Sequence, residues 1–148
     1  MPKRSATPVR FDESVGARLA SFAAAHPGLS RSAAANLLVD EGLRMAEHPG
    51  VLFRDGPTGR RAGLVSGPDV WEVMRAVKSA RTAESNLADD DLVALVAENS
   101  GVAARLVRIA IRYWASYPDE VDAQVATADV AESSAELVWQ REHDLLVG

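Results

Sequence analysis

Arginine side chains carry the chemistry that the sequence offers most clearly, and three of them recur at helical spacing. Arg105, Arg108 and Arg112 stand at positions i, i+3 and i+7, so a helix here would place all three on one face. Guanidinium groups bind both phosphates and carboxylates. This second basic face therefore predicts either phosphate contacts or ion pairs within the chain. The acidic candidates for such pairs are Asp89, Asp90, Asp91 and the acidic C-terminal segment.

The residue types needed for covalent catalysis or metal binding are missing or dispersed. The chain has no cysteine, and its three histidines, His26, His48 and His143, lie far apart in sequence. Glu142 and Asp144 flank His143, but adjacent side chains diverge on a helix and cannot form a triad. We therefore expect no catalytic residue, no metal site and no cofactor, which argues against an enzyme.

Length and composition indicate a globular protein outside the membrane. The chain has 148 residues, of which 47% are hydrophobic and 25% are charged. A typical domain holds about 100–150 residues, so a packed core is expected. No apolar stretch approaches the roughly 20 residues that span a bilayer, and the N-terminus has no apolar signal core. We expect a cytoplasmic protein.

The net charge of -5 conceals a gradient along the chain. Residues 1–46 carry a net charge of +2, residues 47–117 are neutral, and residues 118–148 carry -7. A basic N-terminal segment and an acidic C-terminal segment suggest two different partners, a polyanion and a basic surface. The alternative is a charge distribution that serves solubility only.

The first 46 residues predict a strand followed by two helices. Alternation places Thr7, Val9 and Phe11 on one face of a short strand. Asp12 is the expected N-cap of a helix with the apolar stripe Val15, Leu19 and Phe22, and His26-Pro27-Gly28 ends that helix. Ser30 is the expected N-cap of a second helix, which ends before His48-Pro49-Gly50.

A lone strand with two helices cannot pair its own edges, so the N-terminal segment is expected to dimerise. Two copies of the strand would pair antiparallel across a two-fold axis. The stretch Val9-Arg10-Phe11-Asp12-Glu13-Ser14-Val15, with Leu19 and Gly28-Leu29-Ser30-Arg31-Ser32, resembles the ribbon-helix-helix family of the CopG, MetJ and Arc repressors. The resemblance covers about a third of the chain.

The ribbon-helix-helix resemblance implies a mode of DNA binding. A two-stranded ribbon enters the major groove, where base edges present distinct donor and acceptor patterns. The outward residues would be Ala6, Pro8 and Arg10, with Arg10 bonding a guanine. The amides of Ser30, Arg31 and Ser32 would hold a phosphate. Lys3 and Arg4 would add positive charge nearby. The alternative for Arg10 is a solvated side chain on a strand.

The middle segment, residues 47–117, predicts a hairpin followed by three helices. Residues 51–54 and 61–65 flank a turn at residues 55–59, where the Gly-Lys-Ser/Thr ending of a phosphate-binding loop is absent. Helices are expected from Asp69, from 90 to 99 and from 102 to 117, with a loose polar stretch over 79–88. Ala97, Gly101 and Val107 have the spacing of a helix-turn-helix core. Three aromatic residues are predicted in the core: Trp71, Tyr113 and Trp114.

Residues 47–123 resemble a small family catalogued as domain of unknown function 433. The resemblance rests on four stretches: His48-Pro49-Gly50-Val51-Leu52-Phe53-Arg54, Gly59-Arg60-Arg61, Asp69-Val70-Trp71-Glu72-Val73 and 113–123. Members occur in antitoxins of bacterial toxin–antitoxin pairs, commonly beside a PIN-like nuclease toxin. The resemblance therefore implies a VapB-like antitoxin.

The acidic segment 118–148 predicts a long amphipathic helix from about residue 120 to 146. Such a helix must bury its apolar stripe on something, and large apolar side chains are the expected anchors. The predicted toxin-binding residues are Leu137, Trp139, Arg141, Leu145 and Leu146, with Arg141 directed at an acidic metal site of the toxin. The alternative is a helix packed back on its own dimer.

Together these features predict a mainly α protein with short β elements and three segments, 1–46, 47–117 and 118–148. The favoured hypothesis is a type II antitoxin that dimerises through its N-terminal strand, represses its own operon and neutralises a ribonuclease toxin. The alternative hypothesis is a stand-alone transcriptional regulator without a toxin partner.

Overall fold

The computed structural model describes residues 5–148, which form six α-helices and one antiparallel β-hairpin. The mainly helical architecture with a short β element is the predicted one. Contacts group the chain into a first unit that ends at Leu43 and a second unit, Arg44–Gly148. The acidic C-terminal segment thus belongs to the same unit as the middle segment. No described helix combines the length and apolarity needed to cross a membrane.

The first unit contains helix α1, Glu13–Ala25, and most of helix α2, Arg31–Glu47. Leu19 of α1 and Ala34 of α2 are its buried apolar residues. Both helices begin where the sequence predicts, after Asp12 and after Ser30. The Ser30 Oγ atom accepts the Ala33 amide N–H at 3.1 Å, as an N-cap should. Asp12 occupies the N-cap position of α1 without a side-chain capping bond.

Within the described chain, residues 5–12 do not form the strand that their alternation predicts. A strand is defined by its hydrogen-bond ladder with a neighbour, and the predicted neighbour is the same segment of a second copy. Single-chain contacts therefore cannot produce it. The strand and its pairing stay predictions.

The hairpin pairs strand β1, Val51–Gly56, with strand β2, Gly59–Leu64. Its register runs from Val51 opposite Leu64 to Gly56 opposite Gly59, so only Pro57 and Thr58 lie in the turn. The turn is tighter than the predicted five residues. One face, with Val51, Ala62 and Leu64, is buried in the core of the second unit.

Four helices complete the second unit: α3, Val70–Ala83; α4, Asp89–Ser100; α5, Ala104–Ser116; and α6, Pro118–Val147. Helix α3 packs against α4, α5 and α6. Tyr113 of α5 is fully buried, while Trp71 and Trp114 are partly buried against the core, as predicted. Pro118 is the first residue of α6, a position where its missing N–H costs no helical bond.

The polar stretch 79–88 is shorter than predicted. Helix α3 continues through Ser79 to Ala83, and only residues 84–88 form the connection to α4. The Thr82 hydroxyl donates to the Lys78 carbonyl, and the Arg81 guanidinium donates to the Leu87 carbonyl at 2.7 Å. Ala80 continues the apolar face of Val73 and Val77 against the core, and the Arg81 bond ties the end of the helix to the connection.

Candidate functional site

An apolar groove lies open in the first unit. It has a volume of about 500 Å³ and its lining is contributed by α1, α2 and Phe11, which precedes α1. Six of its residues are large and apolar: Phe11, Val15, Leu19, Phe22, Leu38 and Val39. Val9, Phe11 and Val39 are exposed by 62%, 45% and 57%. Exposed apolar surface of this kind marks an interaction face.

The predicted DNA-binding residues of the first unit are exposed. Pro8 and Arg10 lie in the extended segment before α1, whereas Ser30, Arg31 and Ser32 lie at the start of α2. Within the described residues, no hydrogen bond or ion pair links Arg10 to that helix start. Lys3 and Arg4 lie outside the residues that the structure describes.

The two hairpin arginines on one face, Arg54 and Arg61, are held by a buried acid. Asp69, only 7% exposed, lies 3.0 Å from Arg61 Nε and 3.4 Å from Arg54 Nε. Arg54 also donates to the Gly67 carbonyl at 2.9 Å. Asp69 and Glu72 form a capping box at the start of α3. These arginines therefore brace the hairpin against α3, which fits a structural turn rather than a phosphate loop.

A second polar network lies where α5 meets α6. Arg44 Nη1 donates to the Tyr113 hydroxyl oxygen at 2.9 Å and to Glu120 Oε2 at 3.0 Å, and Tyr113 donates to Glu120 Oε2 at 2.9 Å. The Arg44 guanidinium also stacks 3.9 Å above the Tyr117 ring. Burial raises the pKa of Tyr113, partly opposed by its hydrogen bond with Arg44.

Ion pairs fasten the first half of α6 to α3. Lys78 Nζ contacts Asp122 Oδ1 at 2.5 Å, and Trp114 Nε1 donates to the same oxygen at 2.9 Å. The hydrogen bond from Lys78 lowers the pKa of Asp122. Arg75 pairs with Asp129 at 2.9 Å and with Glu132. Sequence reasoning missed these networks, because partners 44 to 76 residues apart leave no local pattern.

The second half of α6 is exposed on every side. All residues from 131 to 148 are exposed, with Trp139 at 58% and Leu146 at 84%. The Trp139 ring stacks on the His143 ring, with centroids 4.9 Å apart. This surface combines apolar side chains with a net negative charge, as the sequence predicts.

The five predicted toxin-binding residues do not share one face of α6. At about 100° per residue, Trp139 and Leu146 lie on one side of the helix. Leu137 and Arg141 lie on the opposite side, and Leu145 lies between them. A partner that contacts all five must surround the helix rather than cover one face.

The second basic face is exposed to solvent, and one of its three arginines forms an ion pair within the chain. Arg105, Arg108 and Arg112 are all exposed on α5. Arg108 pairs with Asp90 at the start of α4. Among the described residues, acids of α6 form ion pairs with Arg44, Arg75 and Lys78, and none pairs with an α5 arginine. Of the two intramolecular alternatives, the contact with the aspartates of α4 is the one observed.

No group of three or more His, Asp or Glu side chains within the described part of the chain is arranged to hold a metal ion.

No protein-family model, no curated protein and no solved structure matches this chain. The resemblances to the ribbon-helix-helix family and to domain of unknown function 433 therefore stay predictions. The functional argument rests on the surfaces described above.

Proposed function

We propose that the chain is the antitoxin of a type II toxin–antitoxin pair. Its first unit dimerises and represses its own operon, and the exposed half of α6 neutralises a PIN-like ribonuclease toxin. The observation that carries the proposal is the pair of uncovered apolar surfaces at opposite ends of the sequence. The first is the apolar groove within the basic N-terminal segment. The second is the exposed, acidic second half of α6.

The DNA-binding half of the proposal is supported by the first unit. Its open groove would be covered by α1 and α2 of a second copy, which would bring the two extended N-terminal segments together as a ribbon. Arg10 is exposed, and in such a ribbon it would bond a guanine edge. At the start of α2, Ser30 Oγ occupies only the Ala33 amide, so the amides of Ser30, Arg31 and Ser32 would hold the phosphate.

The toxin-binding half of the proposal is supported by the exposed half of α6. The exposed residues 131–148 contain four acids and one arginine, a net charge of -3, which complements the basic surface that a nuclease needs to bind RNA. Trp139, Leu145 and Leu146 would bury their side chains in the partner. Inhibition would follow because the helix covers the toxin's catalytic surface, with Arg141 against its acidic metal site.

Operator binding provides the test of the first half. Arg10→Ala should weaken binding to the DNA upstream of the coding sequence by about 1–3 kcal/mol and reduce sequence preference. Lys3→Ala is the matched control, because it should weaken binding to every sequence alike. Equal losses on operator and random DNA for Arg10→Ala would contradict base reading by this residue.

Inhibition of a nuclease encoded by the adjacent gene provides the test of the second half. Trp139→Ala should weaken inhibition strongly. Val130→Ala is the matched control, because Val130 is also exposed but lies half a turn away from Trp139 around α6. A chain that neither binds nor inhibits the neighbouring nuclease would refute the antitoxin proposal.

A stand-alone regulator is the second candidate, and the docking of the first half of α6 favours it. Ion pairs from Arg75 and Lys78 give this half a structural role within the second unit. Deleting residues 124–148 should then weaken folding without changing the inhibition of any nuclease.

A further inference from the structure

The α5 basic face, defined here as Arg105, Arg108 and Arg112, is the most strongly basic helical surface of the second unit. Helix α5 contains these three arginines and no acidic residue, in a chain whose net charge is -5. All three side chains are exposed. The opposite side of α5 is buried through Leu106, Val107, Ala110 and Tyr113. The fold therefore turns the arginines toward solvent and fixes the helix that carries them.

The α5 basic face belongs to a helix-turn-helix arrangement. Only residues 101–103 separate α4 from α5. Gly101 ends α4 with φ +72°, a conformation that glycine adopts without strain, and its N–H donates to the Ala97 carbonyl at 3.0 Å. Both helices pack on α3. The second helix of such a motif is the one that proteins insert into the major groove of DNA.

Much of the positive charge on this face is available to a ligand. Arg108 pairs with Asp90, but within residues 5–148 Arg105 and Arg112 form neither an ion pair nor a hydrogen bond. Arg108 and Arg112 also line an open groove of about 530 Å³, with Arg81 among its other lining residues. Arg81 is itself balanced by Asp89 at 3.3 Å.

The sign of the charge selects the class of ligand. The acidic tail suits a basic protein, and the same basic surface would repel the α5 arginines. A polyanion suits the α5 basic face instead. The geometry points to a second DNA contact: the α5 basic face binds the phosphate backbone of duplex DNA through Arg105 and Arg112, while Asp90 restrains Arg108. This inference rests on the proposed function for the identity of the ligand, and it adds a second contact surface.

Salt dependence measures this contact directly. Each phosphate that a protein neutralises contributes about 0.9 to the slope of log affinity against log salt. Arg105→Ala and Arg112→Ala should each lower that slope by about 0.9, and the double variant by about 1.8. Asp90→Asn should act in the opposite direction, raising affinity because it releases Arg108.

The experiment uses the full chain and a fluorescein-labelled random-sequence duplex of about 40 base pairs, titrated between about 50 and 200 mM salt. Each lost contact removes a factor of about 3 from the affinity change over this range. Arg60→Ala is the matched control, because it removes one positive charge from the hairpin of the same unit. Its salt slope should stay at that of the unaltered chain, and circular dichroism checks that every variant is folded.

The outcomes separate this inference from the proposed function. If Arg10→Ala reduces operator preference while the Arg105 and Arg112 variants keep the full salt slope, the inference is overturned and the proposed function stands. If those variants keep the slope but lose inhibition of the nuclease, the face contacts protein, and the inference is overturned. If Arg10→Ala changes nothing while the slopes fall as expected, the second contact stands and the proposed role of the first unit fails. An unaltered chain that binds no duplex DNA would overturn both.

Discussion

Replacing Tyr113 by phenylalanine tests whether the network between Arg44, Tyr113 and Glu120 stabilises the second unit. The substitution keeps the buried ring and removes a hydroxyl that makes two hydrogen bonds at 2.9 Å, one with each charged partner. Hydrogen bonds to charged groups contribute about 1.5–3 kcal/mol each. In the variant, the ion pair between Arg44 and Glu120 remains. Because the Glu120 side chain is 42% exposed, water can also replace part of the lost hydrogen bonding. We expect Tyr113→Phe to lower the free energy of unfolding by about 1–2 kcal/mol.

Tyr117→Phe is the matched control in the same helical junction. Its hydroxyl donates a longer bond, 3.2 Å, to the exposed Glu47 carboxylate. The expected loss is below about 0.5 kcal/mol. Urea unfolding of both variants, followed by circular dichroism at neutral pH, compares the two values directly.

Alkaline pH gives the same substitution a second readout. Burial raises the pKa of Tyr113, so the folded chain keeps the phenolic proton that the unfolded chain releases near pH 10. The unfolded state then binds fewer protons, and the unaltered chain loses stability as pH rises above about 10, by at most about 1.4 kcal/mol per pH unit. Tyr113→Phe lacks this loss. The difference in free energy of unfolding between the unaltered chain and this variant should therefore become smaller as pH rises above about 10. A cost equal to that of Tyr117→Phe, or a gap that stays constant above pH 10, would refute the reasoning.

Three further predictions concern the elements that position the two surfaces. Asp122→Asn should lower the free energy of unfolding, measured with urea at neutral pH, by about 0.5–1 kcal/mol. The control Asp119→Asn should lower it by less. Because Lys78 lowers the pKa of Asp122, that cost should vanish as pH falls through the lowered value. Gly50→Ala should destabilise by about 2–4 kcal/mol, since φ is +99° and the new Cβ would meet Ile109 Cδ1 at 2.8 Å. Gly101 also has a positive φ, but open space surrounds it, so Gly101→Ala should lower the free energy of unfolding by only about 1–2 kcal/mol. Thermal unfolding of both glycine variants compares the two losses. Ser30→Ala should lower first-unit stability by about 1 kcal/mol, and Asp12→Ala by less, because only Ser30 makes a capping bond; equal losses in thermal melts would contradict this.

Local patterns in the sequence were sufficient to predict most helices and the hairpin. Ser30 and Gly101 mark a helix start and a helix end through their own backbone chemistry, so a single chain reveals them. Tyr113 was recognisable as core because it lies on the apolar stripe of α5. The continuation of α3 to Ala83 was not predicted, because beyond Val77 the small Ala80 continues the apolar face among polar neighbours, which gives a weak pattern.

The candidate surfaces were less accessible to sequence reasoning than the elements that carry them. The positions of Arg105, Arg108 and Arg112 on one face follow from spacing alone. The pairing of Arg108 with Asp90 depends on how α4 packs on α5, and several acids were equally near in sequence. Likewise, no local feature divides α6 into a docked half and an exposed half. That division depends on the burial of Val121 in the core and on the ion-pair partners Arg75 and Lys78, about 50 residues before their acids in the chain.

The abrupt change in burial along α6 makes the second half of that helix susceptible to proteases. From residue 131 onward, the helix is held together by its own backbone bonds and exposes every side chain. Such a segment opens far more readily than a packed one, and proteolysis acts on the open form. On the proposed function, dimerisation would pair and protect the N-terminal segment, so trimming would remove Trp139 and Leu146 first and leave the DNA-binding unit intact. The shortened protein would continue to repress the operon after it had lost the ability to inhibit the nuclease.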